Sequence, residues 1–412
     1  NDDGTLNYNT IYPGSNNLSY ASPVTVSKMT TYMEGSLNYT RLFAEKHRVG
    51  ALFLYNHKIY KLLTAGNQKA SLPYKSQGLA GRLTYAYKDT YFAEFNMGYT
   101  GSENFARGHR FGFFPAYALG WMVSNEKWFE PLTKVVNDLK FKASYGKVGN
   151  DDIGTSRRWA YEPTINVVNA DNVWAYGATG NMKPTAYRVG EIANNNVSWE
   201  EATKVNVGIE ARLFNKLKIQ ADYFYEQRDG IFLQRDGLPA IAGFSTLPYV
   251  NVGKAKVSGI DGTLEYQQQV GKVLLTGRGN FTFSRNQMLN NDQPDHEYKY
   301  QNVIGKPFGR GGVSQRMGYV ALGFFESQEE IDNSPAQSFG EYRVGDIKYQ
   351  DVNGDGVINS YDQIAIGYTD LPEITYGFGL TAKWKDFDAS VFFQGIAPVS
   401  YTHLTLPTIL RV

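Results

Sequence analysis

The chain has 412 residues, and its 41 basic against 40 acidic side chains leave a net charge of +1, without the basic excess that a nucleic-acid partner demands. It contains no cysteine, which excludes disulfide frameworks and thiol chemistry, and no run of about 18 apolar residues, which excludes a membrane-spanning helix. Aromatic residues make up 15% of it, led by 30 Tyr and accompanied by 42 Gly, a mixture that suits long strands and tight turns better than helices.

Strands that cross a bilayer alternate apolar and polar residues and so escape a hydropathy search. That alternation runs through this chain. It is predicted first over residues 30–43 and 46–58, then over 79–88 and 91–101, where Tyr91, Ala93, Phe95, Met97 and Tyr99 oppose Glu94, Asn96, Gly98 and Thr100. Residues 111–123 and 138–148 follow, the second setting Leu139, Phe141, Ala143 and Tyr145 against Lys140, Lys142 and Ser144. In 203–214, Val205, Val207, Ile209, Ala211 and Leu213 alternate with Lys204, Asn206, Gly208, Glu210 and Arg212. The remaining predicted strands are 217–229, 256–270, 272–285, 372–384 and 386–395, which brings the number to twelve. A helix would scatter each set over both its faces; a strand separates them. Most run to about 10–14 residues, against ~5–6 in globular sheets. At ~3.3 Å per residue and a tilt of ~40° they cover an apolar belt ~25 Å tall.

The connections alternate as well. Tight turns are predicted at Ala44-Glu45, Asp89-Thr90, Asn215-Lys216, Gly271 and Lys385-Asp386, with a longer link over 124–137. Between these pairs lie polar segments at 59–78, 102–110, 149–202, 230–255 and 286–371. An up-and-down sheet gathers all such loops at one rim, as outer-membrane barrels do with short periplasmic turns and long extracellular loops. The Greek-key crossings of a soluble sandwich would break the rhythm. The expected fold is all-β, an antiparallel transmembrane β-barrel.

Six segments then carry a family signature: GRLTYAYKDTYFAEFNMGYTGSENF (81–105), NDLKFKASYGKVGND (137–151), IGKPFG (304–309), GFFESQEEI (323–331), GDIKYQDVNGDGVIN (345–359) and FDASVFFQG (387–395). In order and spacing they resemble the barrel of SusC/RagA-type TonB-linked proteins, the TonB-dependent receptors of the Bacteroidetes outer membrane. The resemblance reaches Gly395. It implies a transporter and not an enzyme, importing glycans or peptides through a plugged barrel. It also implies a SusD-like lipoprotein lid outside and energy from the TonB complex, delivered through an N-terminal region that has no counterpart here. Twelve strands fall short of the ~22 of a plugged transporter. Lipid does not tolerate the unpaired N–H and C=O groups at the edges of an open sheet. Residues 1–396 are therefore expected to be a fragment of the barrel, without plug or N-terminal domain. Residues 397–412, with Pro398 and Pro407 and no terminal aromatic, are expected to be a non-native tail without a partner in the sheet.

One motif points to a metal. The run DVNGDGVINSYD (351–362) matches a calcium loop, a hard cation asking for six to eight oxygens from Asp351, Asn353, Asp355, the Val357 carbonyl, Asn359 and Asp362. Gly356 permits the tight turn. Asp362 stands where an EF-hand carries a bidentate Glu, and strand-like sequence precedes the loop where a helix would enter. The expected role is structural Ca²⁺ on an extracellular loop; the competing reading is an ion-free Asx turn.

Other chemistry is sparse. His47, His57, His109, His296 and His403 show no metal-ligand spacing, and the pairs Glu200-Glu201 and Glu329-Glu330 read as solvated surface. Trp121 and Trp128 suit an aromatic girdle. Trp159, Trp174 and Trp199 fall in a long loop, where they either pack or stack on a sugar or lid protein. Lys140, Lys142, Glu210 and Arg212 either guide substrate or line the wall. The alternative from another class is a soluble, calcium-stabilised β-sandwich that binds or hydrolyses carbohydrate, in which Val205, Val207 and Ile209 would lie in a dry core.

Overall fold

The computed structural model describes residues 26–65, 68–154, 157–168, 175–180, 182–183, 185–244, 246–294, 296–309, 312–313, 315–369 and 371–397. Twelve long strands form one antiparallel sheet whose spatial order is the chain order. They are β1 (Lys28–Phe43), β2 (His47–Leu62), β3 (Tyr74–Tyr87), β4 (Tyr91–Ser102), β5 (Phe111–Met122) and β6 (Val136–Asn150), then β7 (Glu200–Leu213), β8 (Leu217–Gln234), β9 (Tyr249–Val270), β10 (Val273–Asn290), β11 (Ile374–Trp384) and β12 (Phe387–Ala397). Among the described residues β1 pairs only with β2 and β12 only with β11, so the sheet is open.

The register keeps the predicted alternation on one side throughout. Leu83 stands opposite Phe95, Phe95 opposite Tyr117, and Tyr117 opposite Tyr145. Tyr145 meets Val205, and Val205 meets Tyr225. The other face joins Lys140 to Glu210 and Glu210 to Gln220 in the same way. A slip of one residue would exchange the two faces, so the alternation fixes the register.

Among the described residues the apolar face has no second layer. Leu37 is 73% exposed, Leu119 66%, Val207 53% and Phe378 53%, and none of Val205, Val207 and Ile209 joins the buried residues. A sandwich would cover these side chains with a second sheet; the soluble-sandwich alternative fails on this point.

Several strands begin earlier or end later than alternation alone indicated, chiefly at the long-loop rim. There β3 starts at Tyr74, β8 reaches Gln234, β9 starts at Tyr249 and β10 reaches Asn290. Those ends do not alternate: 74–78 is polar on both faces and Ile231-Phe232-Leu233 apolar on both, so they pair as backbone without a periodic signal. The loops also hold short ladders of their own, Ile165–Val168 with Ala186–Val189 and Ala321–Phe324 with Ile347–Tyr349. At the C-terminal end Ala397 still pairs with Ile374, and residues 398–412 of the expected tail lie outside the described residues.

Two of the tight turns sit one residue earlier than expected. Thr90 N donates to Tyr87 O at 3.0 Å and Lys216 N to Leu213 O at 3.0 Å, which centres these turns on Lys88-Asp89 and Phe214-Asn215. Like Ala44-Glu45, both central residues have positive φ, between 47° and 56° in all three turns. That is the type I′ geometry, whose twist matches the strands it joins. Only glycine adopts it without steric cost. Glu45→Gly is therefore expected to stabilise the β1–β2 hairpin by ~0.5–1 kcal/mol, read as a higher urea midpoint. An unchanged or lower midpoint would show that the turn carries no strain.

Candidate functional site

The sheet arranges its side chains in strata. At the short-turn rim of the apolar face, Phe43, His47, Tyr87, Tyr91, Trp121 and Phe141 stand opposite one another across six strands. The His47 ring nitrogen lies 2.8 Å from the Tyr85 hydroxyl, and the Trp121 indole donates to Glu126 at 3.1 Å. Trp128, 61% exposed, sits in the link just beyond. Towards the loop rim a second row runs through Tyr55, Leu79, Tyr99 and Phe113. Aliphatic and aromatic residues fill the space between the rows. Amphipathic rings at two levels flanking an apolar band are what the two interfaces of a bilayer select.

The opposite face is a wall of paired charge. Lys142 Nζ lies 3.1 Å from Glu210 and 3.0 Å from Asp222, and Lys140 reaches Glu210 at 3.9 Å. Arg212 pairs with Asp138. On β9, Glu265 receives Lys218 at 3.2 Å and Arg278 at 3.0 Å. Higher up, Glu226 bridges Lys204 at 3.2 Å and Arg228 at 2.6 Å. Of the expected wall residues, Lys140, Lys142 and Glu210 fall into one net; Arg212 turns to Asp138. Asp222, Glu265 and Arg278 were missed, although each shares the parity of its polar neighbours across the ladder.

Above this wall the loops lock to one another. Phe105, Ile153 and Val197 form a small core with Ala160, Trp199 and Phe232 against it. The Trp199 ring lies 5.3 Å from both Phe105 and Phe114, and its indole donates to Arg110 O at 3.2 Å. Trp199 is thus a packing residue. Trp159 has φ 65° and a T-shaped contact with Tyr161, while Trp174 lies outside the described residues. The Tyr74 hydroxyl donates to Asp151, and Arg158 donates to Leu72 O at 3.2 Å and Pro73 O at 3.1 Å. Arg157 donates to the Tyr249 hydroxyl at 2.6 Å. Glu200 and Glu201, expected in a loop, open β7 and pair with Arg228 and Lys147. Glu330 pairs with Lys348 at 2.9 Å.

The 351–362 loop hangs between β10 and β11, on the rim opposite the turns. Asp351 accepts Gly354 N at 2.7 Å and Gly356 N at 2.8 Å through its two oxygens. Asp355 accepts Val357 N at 2.8 Å and the Asn353 amide at 2.9 Å. Asp362, fully buried, accepts Val352 N at 2.8 Å, Asn353 N at 3.3 Å and Asn359 N at 2.8 Å. Asn359 instead caps a short helical turn by accepting Tyr361 N at 2.8 Å, and its amide donates to Val357 O at 3.3 Å. Gly354 and Gly356 have φ 78° and 82°, as the sharp turn requires. Partial burial first, and then the negative field of Asp362, Asp355 and Asp351, push the Tyr300 phenol above its ordinary value. Among the described residues, however, no three acidic or histidine side chains stand at metal-ligand spacing. The donors fit Ca²⁺ by type, while as folded the backbone amides hold them.

A sequence model described as "TonB dependent receptor-like, beta-barrel" matches residues 1–396. The chain belongs to the TonB-dependent receptor β-barrel family. TonB-dependent receptor P26 of Formosa agariphila is 29% identical over 76% of this chain and 31% of its own length. TonB-dependent receptor SusC of Bacteroides thetaiotaomicron is 25% identical over 75% of this chain and 30% of its own. The chain therefore spans about a third of the length of these curated relatives. The structure of the RagAB peptide transporter superposes with a TM-score of 0.67 at 18% identity, over 89% of this chain and 40% of that one, which shows the same fold.

For a TonB-dependent receptor of the outer membrane the two faces acquire their solvents: the apolar face meets lipid and the charged face meets the lumen. Val207→Arg, near the middle of β7, is then expected to cost ~2–4 kcal/mol, because an outward charge at mid-belt sits in hydrocarbon. Asn206→Arg, one residue away on the wall, should cost less than ~1 kcal/mol. Urea titration of protein folded into lipid vesicles measures both, and equal costs would contradict the assignment of faces.

Proposed function

We propose that this chain forms part of the barrel wall of a SusC-like active transporter that imports glycans or peptides across the outer membrane. Its partners in this reading are a SusD-like lipoprotein outside and the TonB complex, which supplies energy through parts of the whole protein that precede the barrel. One observation carries it: a single meander sheet with one lipid-compatible face, one hydrated face and every long loop at one rim. Likeness to SusC supports the substrate class and the lipoprotein partner, and the name of the RagAB peptide transporter adds peptides. Membership of a family of receptors supports a role in transport and not in catalysis.

Uptake tests this directly. Cells that carry the parent protein and feed on labelled oligosaccharides or peptides should lose uptake when its gene is deleted. They should lose it equally when the proton gradient that drives TonB is collapsed. Uptake that survives the collapse would mean a passive channel. A tagged protein recovered from outer membranes without a co-purifying lipoprotein would remove the lid from the scheme.

We also propose that the 351–362 loop takes up Ca²⁺ as a structural ion, held by Asp351, Asn353, Asp355, the Val357 carbonyl, Asn359 and Asp362. In support, the donors are oxygen, as a hard cation requires, and the loop carries three carboxylates whose negative field reaches Tyr300. The ion would neutralise that field and draw the Asp351 and Asp355 oxygens together. Chelation should then expose residues 291–373 to protease without unfolding the sheet, and Asp355→Ala should mimic it. Cleavage that is indifferent to chelator would leave the loop as an Asx turn closed by its own amides.

A further inference from the structure

The outward face carries a polar pocket where the belt ends. His57 of β2, Gln77 of β3, Gly101 of β4 and Phe111 of β5 stand directly opposite one another, two residues beyond the Tyr55–Phe113 row. With Lys75, Glu103 and Arg110 they border a cavity of about 210 Å³. Its height follows from the register. His57 lies ten residues from His47, which marks the lower aromatic row. Ten residues at ~3.3 Å each and a tilt of ~40° give ~25 Å along the barrel axis, the thickness of the apolar belt. The pocket therefore lies at the headgroup level of the outer leaflet.

Its nitrogen-bearing side chains are only partly engaged. His57 Nδ1 is buried without any hydrogen-bond partner. Lys75 Nζ comes no nearer to Glu103, the one carboxylate at the pocket, than 4.0 Å. Arg110 is held in place by its Nε, which donates to Phe105 O at 3.1 Å. At its base Gly101 lies under the Phe111 ring, which comes within 2.5 Å of where a Cβ would stand. Three nitrogen-bearing side chains thus face one acid at a height where the abundant anion is a lipid phosphate.

Beneath the pocket the same strands leave a second space. An apolar groove of about 360 Å³ is bordered by Leu37, Phe53, Gly81, Leu83 and Met97. Gly81 creates it, since the row Phe53–Gly81–Met97 lacks a side chain at its centre. From Gln77 to Gly81 is four residues, ~13 Å along β3, within reach of an acyl chain whose headgroup sits in the pocket.

We propose that this pocket and groove form a specific site for one anionic outer-leaflet lipid, its phosphate against His57, Lys75 and Arg110 and one acyl chain along Gly81. Native mass spectrometry of the detergent-solubilised protein tests it, with phosphatidylglycerol, diacylglycerol and inorganic phosphate as separate probes. Phosphatidylglycerol should be retained, and diacylglycerol, which lacks the phosphate, should not. The double substitution His57→Ala/Lys75→Ala should lower occupancy at least about fivefold, the loss expected for the one cationic contact of Lys75 to a headgroup. Gly81→Leu, which fills the groove, should weaken phosphatidylglycerol as well, while Lys58→Ala on the inward face should change nothing. Equal retention in the double variant, or retention of diacylglycerol, would overturn the site. Inorganic phosphate bound as well as the lipid would mark a free-anion pocket and overturn the lipid assignment.

Discussion

A peptide N–H or C=O in hydrocarbon has no water to bond, so each must find its partner on the neighbouring strand. That demand organises everything else in this chain. From β1 to β5 the ladders run without a register shift. Where shifts do occur they sit at the rims, between Asp229 and Ile231, Lys254 and Ala255, and Val136 and Asp138. A bulge leaves one residue unpaired, and at these ends water can satisfy it. The same demand makes strands long and connections short on one side. It also makes the open edges at β1 and β12 intelligible only beside further strands, as in relatives of which this chain spans a third.

The faces were legible in the sequence because lipid selects hard on every second residue. Lys204 to Leu213 could be sorted by eye, and the ladder keeps that sorting. Boundaries were less legible, since residues 74–78 and 249–255 rise above the belt, where neither face is under selection for apolarity. Turn phasing was obscured for a different reason. Lys88-Asp89 and Phe214-Asn215 take a left-handed conformation that glycine usually marks, and no glycine marks it here.

Charge on the wall could be listed from sequence, but its connectivity could not, because pairing depends on which residues the register sets side by side. Lys142 meets Asp222 through Gly208, which stands between them on β7 and has no side chain to intervene. A Cβ at Gly208 would come within 2.1 Å of the Asp222 carboxylate. Loop packing was less visible still. Trp199 meets Phe105 and Phe114 over long stretches of chain, and nothing periodic announces such contacts. The 351–362 motif shows the limit most clearly: sequence supplies the donors in order, while only geometry tells whether amides or a cation gather them.

The wall's composition bears on how selectivity arises. Between β6 and β10 it carries Lys140, Lys142, Lys204, Arg212, Lys218, Arg228 and Arg278 against Asp138, Glu200, Glu210, Asp222, Glu226, Asp261 and Glu265, seven charges of each sign. Most of them are joined in the ion pairs described above, so their fields largely cancel at a distance of one Debye length, ~8 Å in physiological salt. Such a wall hydrates a passage without drawing either ion sign through it. In the transporter proposed above, discrimination among solutes would then fall to groups that meet them in defined geometry. In the loops above the wall, Arg157, Arg158 and Tyr74 are held in place by Tyr249, Asp151 and backbone carbonyls. Rigid loops over a neutral wall are suited to recognising the shape and hydrogen bonding of a solute, and poorly suited to sorting by charge alone.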